Sequence, residues 1–257
     1  MSEKRLRIEG LSKSFTVGKK VIDALDNINL EIERGEFVTI VGKSGCGKST
    51  LLKIISGLLP YESGKVAYDG HEIREPGPDR GMVFQEHRLL PWLKIRDNIG
   101  FNLFSLPKRE REELVGSHMK KVGIDGFADA YPNQLSGGMA QRAAIARGLA
   151  GNPEILLLDE PFGALDALTR IQMQKEVLRI WQSEGTTMIL VTHDIDEAIF
   201  LGQRIIVMSE RPGKVLDIIN AKNLAYKNRA DADFARVKKK VYKYFFEEEM
   251  PDLEYTL

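Results

Sequence analysis

The residues best placed to do chemistry begin with Gly42-Lys43-Ser44-Gly45-Cys46-Gly47-Lys48-Ser49, which fits the pattern G-x-x-x-x-G-K-[ST]. Its flanks are the demanding part of the match. The apolar run Phe37-Val38-Thr39-Ile40-Val41 precedes it, and Thr50-Leu51-Leu52-Lys53-Ile54-Ile55-Ser56-Gly57 follows as a helix stopped by glycine. Strand, loop and helix in that order aim backbone N–H groups and a positive helix end at phosphate. The glycines permit backbone angles and a close approach that a Cβ forbids. The spacing predicts that residues 42–50, Thr50 included, cradle a nucleotide. Lys48 is expected to neutralise the β- and γ-phosphates, and the Ser49 hydroxyl to face Mg²⁺. Cys46 has no His–acid arrangement indicated around it and reads as a small loop residue, not a catalytic thiol.

A second chemical cluster stands at strand ends. Ile155-Leu156-Leu157-Leu158 runs into Asp159-Glu160, and Pro161 turns the chain. Successive strand residues point to opposite sides, so the two acids cannot share one task. Asp159 is assigned to the metal and Glu160 to the general base that polarises an attacking water. Gln85, after Gly81-Met82-Val83-Phe84, carries an amide that can accept from water or touch Mg²⁺ without changing charge. His193 follows Met188-Ile189-Leu190-Val191-Thr192 on the same rim, where ligands of parallel sheets gather. It is one of four histidines. A γ-phosphate contact and a structural imidazole are both open for it. His71, His87 and His118 sit among polar residues and are expected at the surface.

Leu135-Ser136-Gly137-Gly138-Met139-Ala140-Gln141-Arg142 opens another helix. Ser136 is a good N-cap, and Gly137 and Gly138 leave N–H groups open to an anion. One nucleotide rarely needs two phosphate-seeking helix starts from one subunit, which suggests a head-to-tail pair. With these motifs in order, residues 5–215 resemble an ATP-binding-cassette (ABC) ATPase. The resemblance implies that Ser136 and Gly138 reach ATP across a dimer, that Gln85 lies in a permease-contacting loop, and that Asp166 belongs to a loop joining the two sites. Phe15 matches the aromatic that stacks on adenine; the competing reading is an ordinary core ring. Glu75-Pro76-Gly77-Pro78-Asp79-Arg80-Gly81 and Leu89-Leu90-Pro91-Trp92-Leu93 are similar to the nitrate/sulfonate/taurine importer branch. That branch implies permease subunits, a solute-binding protein acting through them, and a peripheral place on the cytoplasmic face of the inner membrane. Phe84, Leu89, Leu90, Pro91 and Trp92 read either as a docking surface or as core. The alternative class is a non-transport cassette clamping another macromolecule, but no second cassette, coiled-coil insertion or basic tract favours it.

These side chains need a scaffold. Strands alternating with helices imply an α/β fold with a parallel sheet. With the resemblance, it is expected to be a P-loop NTPase (RecA-like) core carrying an N-terminal antiparallel β region and an inserted helical subdomain. The expected division is 1–90 for the β region and phosphate loop, 91–153 for the helical insertion, 154–215 for the rest of the core and 216–257 for a short helical extension. Phe234, Val237, Val241 and Phe245 share one helical face there, as in a capping helix. Lys and Arg total 37 and Asp and Glu total 37, so net charge gives no pull toward nucleic acid. One cysteine excludes an intramolecular disulfide and suits a reducing compartment. Met1-Ser2-Glu3-Lys4-Arg5-Leu6 lacks the apolar run of a secretory signal. No apolar stretch approaches the roughly 18 residues of a spanning helix.

Overall fold

The computed structural model describes residues 5–222 and 229–246. Met1 to Lys4, residues 223–228 and residues 247–257 lie outside it, together with what the sequence suggests for them. Two sheets enclose the site. The first is antiparallel and N-terminal: β1 (Arg5–Val17), β2 (Lys20–Glu33), β4 (Ser63–Tyr68) and β5 (His71–Glu72) lie in the order β2-β1-β4-β5. In β2 the buried Ile28, Leu30 and Ile32 alternate with Asn29 and Glu31, the period of a half-buried strand.

The second sheet has six strands in the order β10-β9-β3-β8-β7-β6. Here β3 is Phe37–Val41, β6 Arg80–Val83, β7 Ile155–Asp159, β8 Thr187–Thr192, β9 Arg204–Met208 and β10 Val215–Asn220. Strands β6, β7, β8, β3 and β9 are parallel, and β10 closes the edge antiparallel. Every residue of β3, β7 and β8 is buried, as a parallel sheet covered on both faces requires.

Alternation along these strands feeds two cores. Ile155, Leu157, Ile189 and Val191 face helix α1 (Lys48–Ile55) and the antiparallel sheet. Leu156, Leu158, Met188 and Leu190 face α4 (Gly137–Ala150) and α5 (Ala167–Glu184). Each such aliphatic side chain contributes roughly 1.5–3 kcal/mol on burial. The phosphate loop thus sits between two packed layers that fix both of its ends.

Helices α2 (Ile95–Ile99), α3 (Lys108–Lys121) and α4 form the helical stretch expected after Pro91. Helix α5 starts at Ala167 because Asp166 caps it by accepting from the N–H groups of Leu168 and Thr169, both at 3.1 Å. Helix α6 (Ile195–Leu201) packs on β3, and α7 (Ala232–Tyr242) packs on α6. Phe234 and Val241 of α7 are buried, with Val237 and Phe245 partly so. One histidine departs from expectation. His118 is buried on α3, and burial, aided by Lys121, pulls its pKa below 6.5. Its polar sequence neighbours face away, since helical period and not adjacency decides the face. His71 is exposed and His87 half-buried.

Candidate nucleotide site

The loop between β3 and α1 is shaped by what its glycines exclude. Gly47 has φ of 105°, and a Cβ there would stand 2.7 Å from the Ala24 carbonyl oxygen. At Gly42 it would stand 2.6 Å from the Cys46 sulfur. Larger residues would push the loop off the strand it rests on. Lys48 is buried, and its ammonium folds back to donate to the carbonyls of Gly42 at 2.8 Å and Lys43 at 3.1 Å. The cation is therefore held beneath the loop.

In front of the loop lies a cleft of about 460 Å³. Its walls are Phe15, Val17 and Ile22 from the first hairpin, Ser44, Gly45, Gly47 and residues 48–50, with Gln85, Glu160 and Arg211. The volume suits a nucleotide-sized ligand. Phe15 is 36% exposed and carries the Lys13 ammonium 5.1 Å from its ring centre, so it is a wall of the cleft and not a core ring. Gly42, Lys43 and Cys46 do not line it. Lys43 pairs with Glu210, and Cys46 is buried behind the loop.

The two acids diverge. Asp159 ends β7, buried, and accepts from the Ser49 hydroxyl at 2.7 Å. Burial pushes its carboxyl up, and the Ser49 hydrogen bond opposes that. Glu160 takes a left-handed φ of 44°, and its N–H donates to the Val191 carbonyl at 3.0 Å. A non-glycine residue held there costs of order 1–3 kcal/mol and turns its side chain off the strand's alternation. The Glu160 carboxylate lies 2.9 Å from His193 Nδ1. His193 is otherwise open to solvent, and Gln85 is exposed just past β6. The geometry separates an oxygen pair suited to a hard cation, Ser49 and Asp159, from a carboxylate–imidazole pair suited to handling a water's proton.

Ser136 caps α4, its hydroxyl accepting from the Met139 N–H at 3.4 Å. Ser136 and Gly137 are exposed, while Gly138 is buried against Thr169 of α5. None of the three lines the cleft. Within the subunit, then, the Ser136 turn and the phosphate loop are not brought together.

Several residues escape a reading of the sequence. Arg211 donates through Nε and Nη2 to the Gly45 carbonyl at 3.0 and 2.8 Å, clamping the turn of the loop. Its only sequence signal is its place just after strand β9. Thr192, Arg170, Asp194 and Glu197 join Glu160 and His193 around a small polar cavity of about 30 Å³ behind the acid.

A cleft of this construction, together with a second capped helix start that stands outside it, is the arrangement of an ABC ATPase. Residues 25–163 match the ABC transporter family, and the chain belongs to that family. It is 47% identical over 252 residues to an uncharacterised ABC transporter ATP-binding protein of Methanocaldococcus jannaschii, covering 97% of this chain and 94% of the relative. The aliphatic sulfonates import ATP-binding protein SsuB of Bacillus subtilis is 47% identical over 245 residues, 95% of this chain and 94% of SsuB. Among solved structures, a dimeric ATP-binding cassette in a post-hydrolysis state bound to ADP and Pi matches with TM-score 0.76 at 36% identity, covering 84% of this chain and 98% of that one. The cbiO1 subunit from Clostridium perfringens, part of the ABC transporter complex cbiONQ, matches with TM-score 0.78 at 29% identity, covering 94% and 96%.

Proposed function

We propose that this ATPase drives a transmembrane importer as a dimer, each copy closing its Ser136–Gly138 turn over ATP held in the other's cleft. The observation carrying this reading is the separation of the two phosphate-seeking helix starts: one lines the cleft, and the other faces solvent outside it. The dimeric cassette to which the chain is similar, bound to ADP and Pi, supports it.

In this reading Phe15 stacks on adenine, while Ser44, Gly45 and residues 47–50, which line the cleft, wrap the phosphates with their backbone N–H groups. Ser49 and Asp159, with Gln85 nearby, offer hard oxygen ligands of the kind Mg²⁺ takes; the ion's charge would neutralise phosphate oxygens. Lys48 and the open N–H groups of α1 stabilise charge on the transferring phosphoryl group. Glu160 accepts the proton of the attacking water, and His193 fixes the Glu160 carboxylate. Little covalent chemistry is asked of the protein; positioning and charge do most of the work.

Among the described residues no helix is long and apolar enough to cross a membrane, so the transport path belongs to permease subunits. The docking segment expected from sequence divides: Leu89 is core, whereas Trp92 is 69% exposed. Phe101 and Phe104, in edge contact, are also exposed, and Phe104, Val115 and Met119 line a groove of about 600 Å³. These surfaces are assigned to the permease, and in this reading the subunit sits peripherally on the cytoplasmic face of the membrane. Relatives named for import of aliphatic sulfonates point to a small sulfonate-like oxyanion as cargo, delivered by a solute-binding protein.

Glu160→Gln tests the hydrolytic assignment. The variant should bind ATP, lose at least about 100-fold in turnover and accumulate a dimer with ATP in sedimentation. A Glu160→Gln chain that turns over normally as a monomer refutes it.

A further inference from the structure

The hydrolytic pair is tied, through a series of side-chain contacts, to the chain's C-terminal extension. His193 sits between β8 and α6, and the turn that carries it is closed by its neighbours. The Thr192 hydroxyl accepts from the Asp194 N–H at 3.0 Å, and Asp194 caps α6 by accepting from the Glu197 N–H at 3.0 Å. Glu197 is buried, and it lines the same small polar cavity as Thr192 and His193.

From Glu197 the contacts run outward. Gln174 of α5, fully buried, donates its amide to the Glu197 carboxylate at 3.1 Å. The carbonyl end of the same amide accepts from Arg229, just before α7. The Arg229 guanidinium also stacks 4.8 Å from the ring centre of Phe200 in α6. A second tie lies one turn along: Lys238 of α7 donates to Asp196 of α6 at 2.8 Å. A buried amide can serve both neighbours only in one orientation, donor toward the carboxylate and carbonyl toward the guanidinium. Removing either neighbour frees it to rotate and leaves one end of a buried amide without that partner.

We infer that Arg229 and Lys238 of the C-terminal extension are positioning residues that hold α6, and with it the His193–Glu160 contact, in its hydrolytic arrangement. The inference rests on the hydrolytic reading of Glu160 and His193 given above. A segment gripped on α6 in this way can set turnover without touching nucleotide. Its other anchor, Lys240 on Asp217 of β10 at 2.8 Å, leads away from α6. That contact supplies a control for mere loosening of α7.

The test uses the full-length chain and measures ATP turnover over a range of ATP concentrations. Arg229→Ala should lower kcat about fivefold with KM within about twofold of the parent. Arg229→Lys should recover at least about half of the loss, since an ammonium can still donate to Gln174. Lys240→Ala should match the parent. Parent-like kcat in Arg229→Ala, an equal fall in Lys240→Ala, or no recovery in Arg229→Lys overturns the inference. Should Arg229→Ala fail to fold, Lys238→Ala at its half-exposed ion pair carries the same expectation and the same refutation. Glu160→Gln run in parallel separates the two readings: if it stays active, the hydrolytic assignment itself is wrong; if it is dead while Arg229→Ala is unaffected, only the positioning role falls.

Discussion

Asp159 and Glu160 are adjacent carboxylates with different neighbours, and the difference is made by one backbone angle. Asp159 keeps the strand's direction and meets Ser49, while the left-handed turn at Glu160 swings its carboxylate to His193. Glu197, behind this pair, is a buried acid whose pKa burial raises to about 7, with Asp194 adding to the rise and Thr192, Gln174 and Arg170 opposing it. Folded protein therefore holds this proton more tightly than the unfolded chain, whose ordinary value is 4.5. The resulting stabilisation is complete below pH 4.5 and is lost as pH rises through about 7, on the order of 3 kcal/mol in all. His118, with its lowered pKa, contributes with the opposite sign, since the unfolded state takes up the proton first as pH falls. Denaturant midpoints at pH 5.5 and 8, compared between parent and Glu197→Gln, isolate the Glu197 contribution. The parent should lose more stability than the variant over that interval, and parallel losses would disprove the buried proton.

Elements differ in how openly the sequence announces them. The strands β3, β7 and β8 are legible because burial on both faces writes an unbroken apolar run. The phosphate loop is legible because its chemistry is contiguous: one loop supplies glycines, lysine and serine together. Strand β10 is not. It lies at the sheet edge with Leu216 and Ile218 half exposed and a register shift between Val215 and Asp217, which erases the alternation. Contacts such as Gln174 to Glu197 and Arg229 to Gln174 are equally invisible, because packing brings together residues 23 and 55 positions apart. The helical stretch carries a surface of the same hidden kind. Phe101 and Phe104 lie beyond the Trp92 segment that the sequence flags, yet share its exposure. Replacing Trp92 and Phe104 together by serine should leave basal ATPase within about twofold, because neither side chain supports the core, and should abolish solute uptake in the assembled transporter. Uptake at the parental rate would place the permease elsewhere.

At the scale of the whole molecule, the sheets and the phosphate loop fix a cleft that the Ser136 turn of the same chain does not line. The cleft faces the phosphate loop, and Ser136 and Gly137 at the start of α4 are exposed outside it. In the proposed two-fold pair, two identical composite sites would form, since what one copy offers the other must receive. Complementation tests this most directly. Lys48→Ala removes the cation under the loop, and Ser136→Arg blocks the turn; each variant alone should be inactive. In an equal mixture, half of the dimers should be mixed, and one site in each should pair an intact Lys48 with an intact Ser136. ATP turnover should then recover to about a quarter of the parent's. No recovery on mixing, or full turnover by Ser136→Arg as a monomer, would show that each chain hydrolyses ATP without its twin.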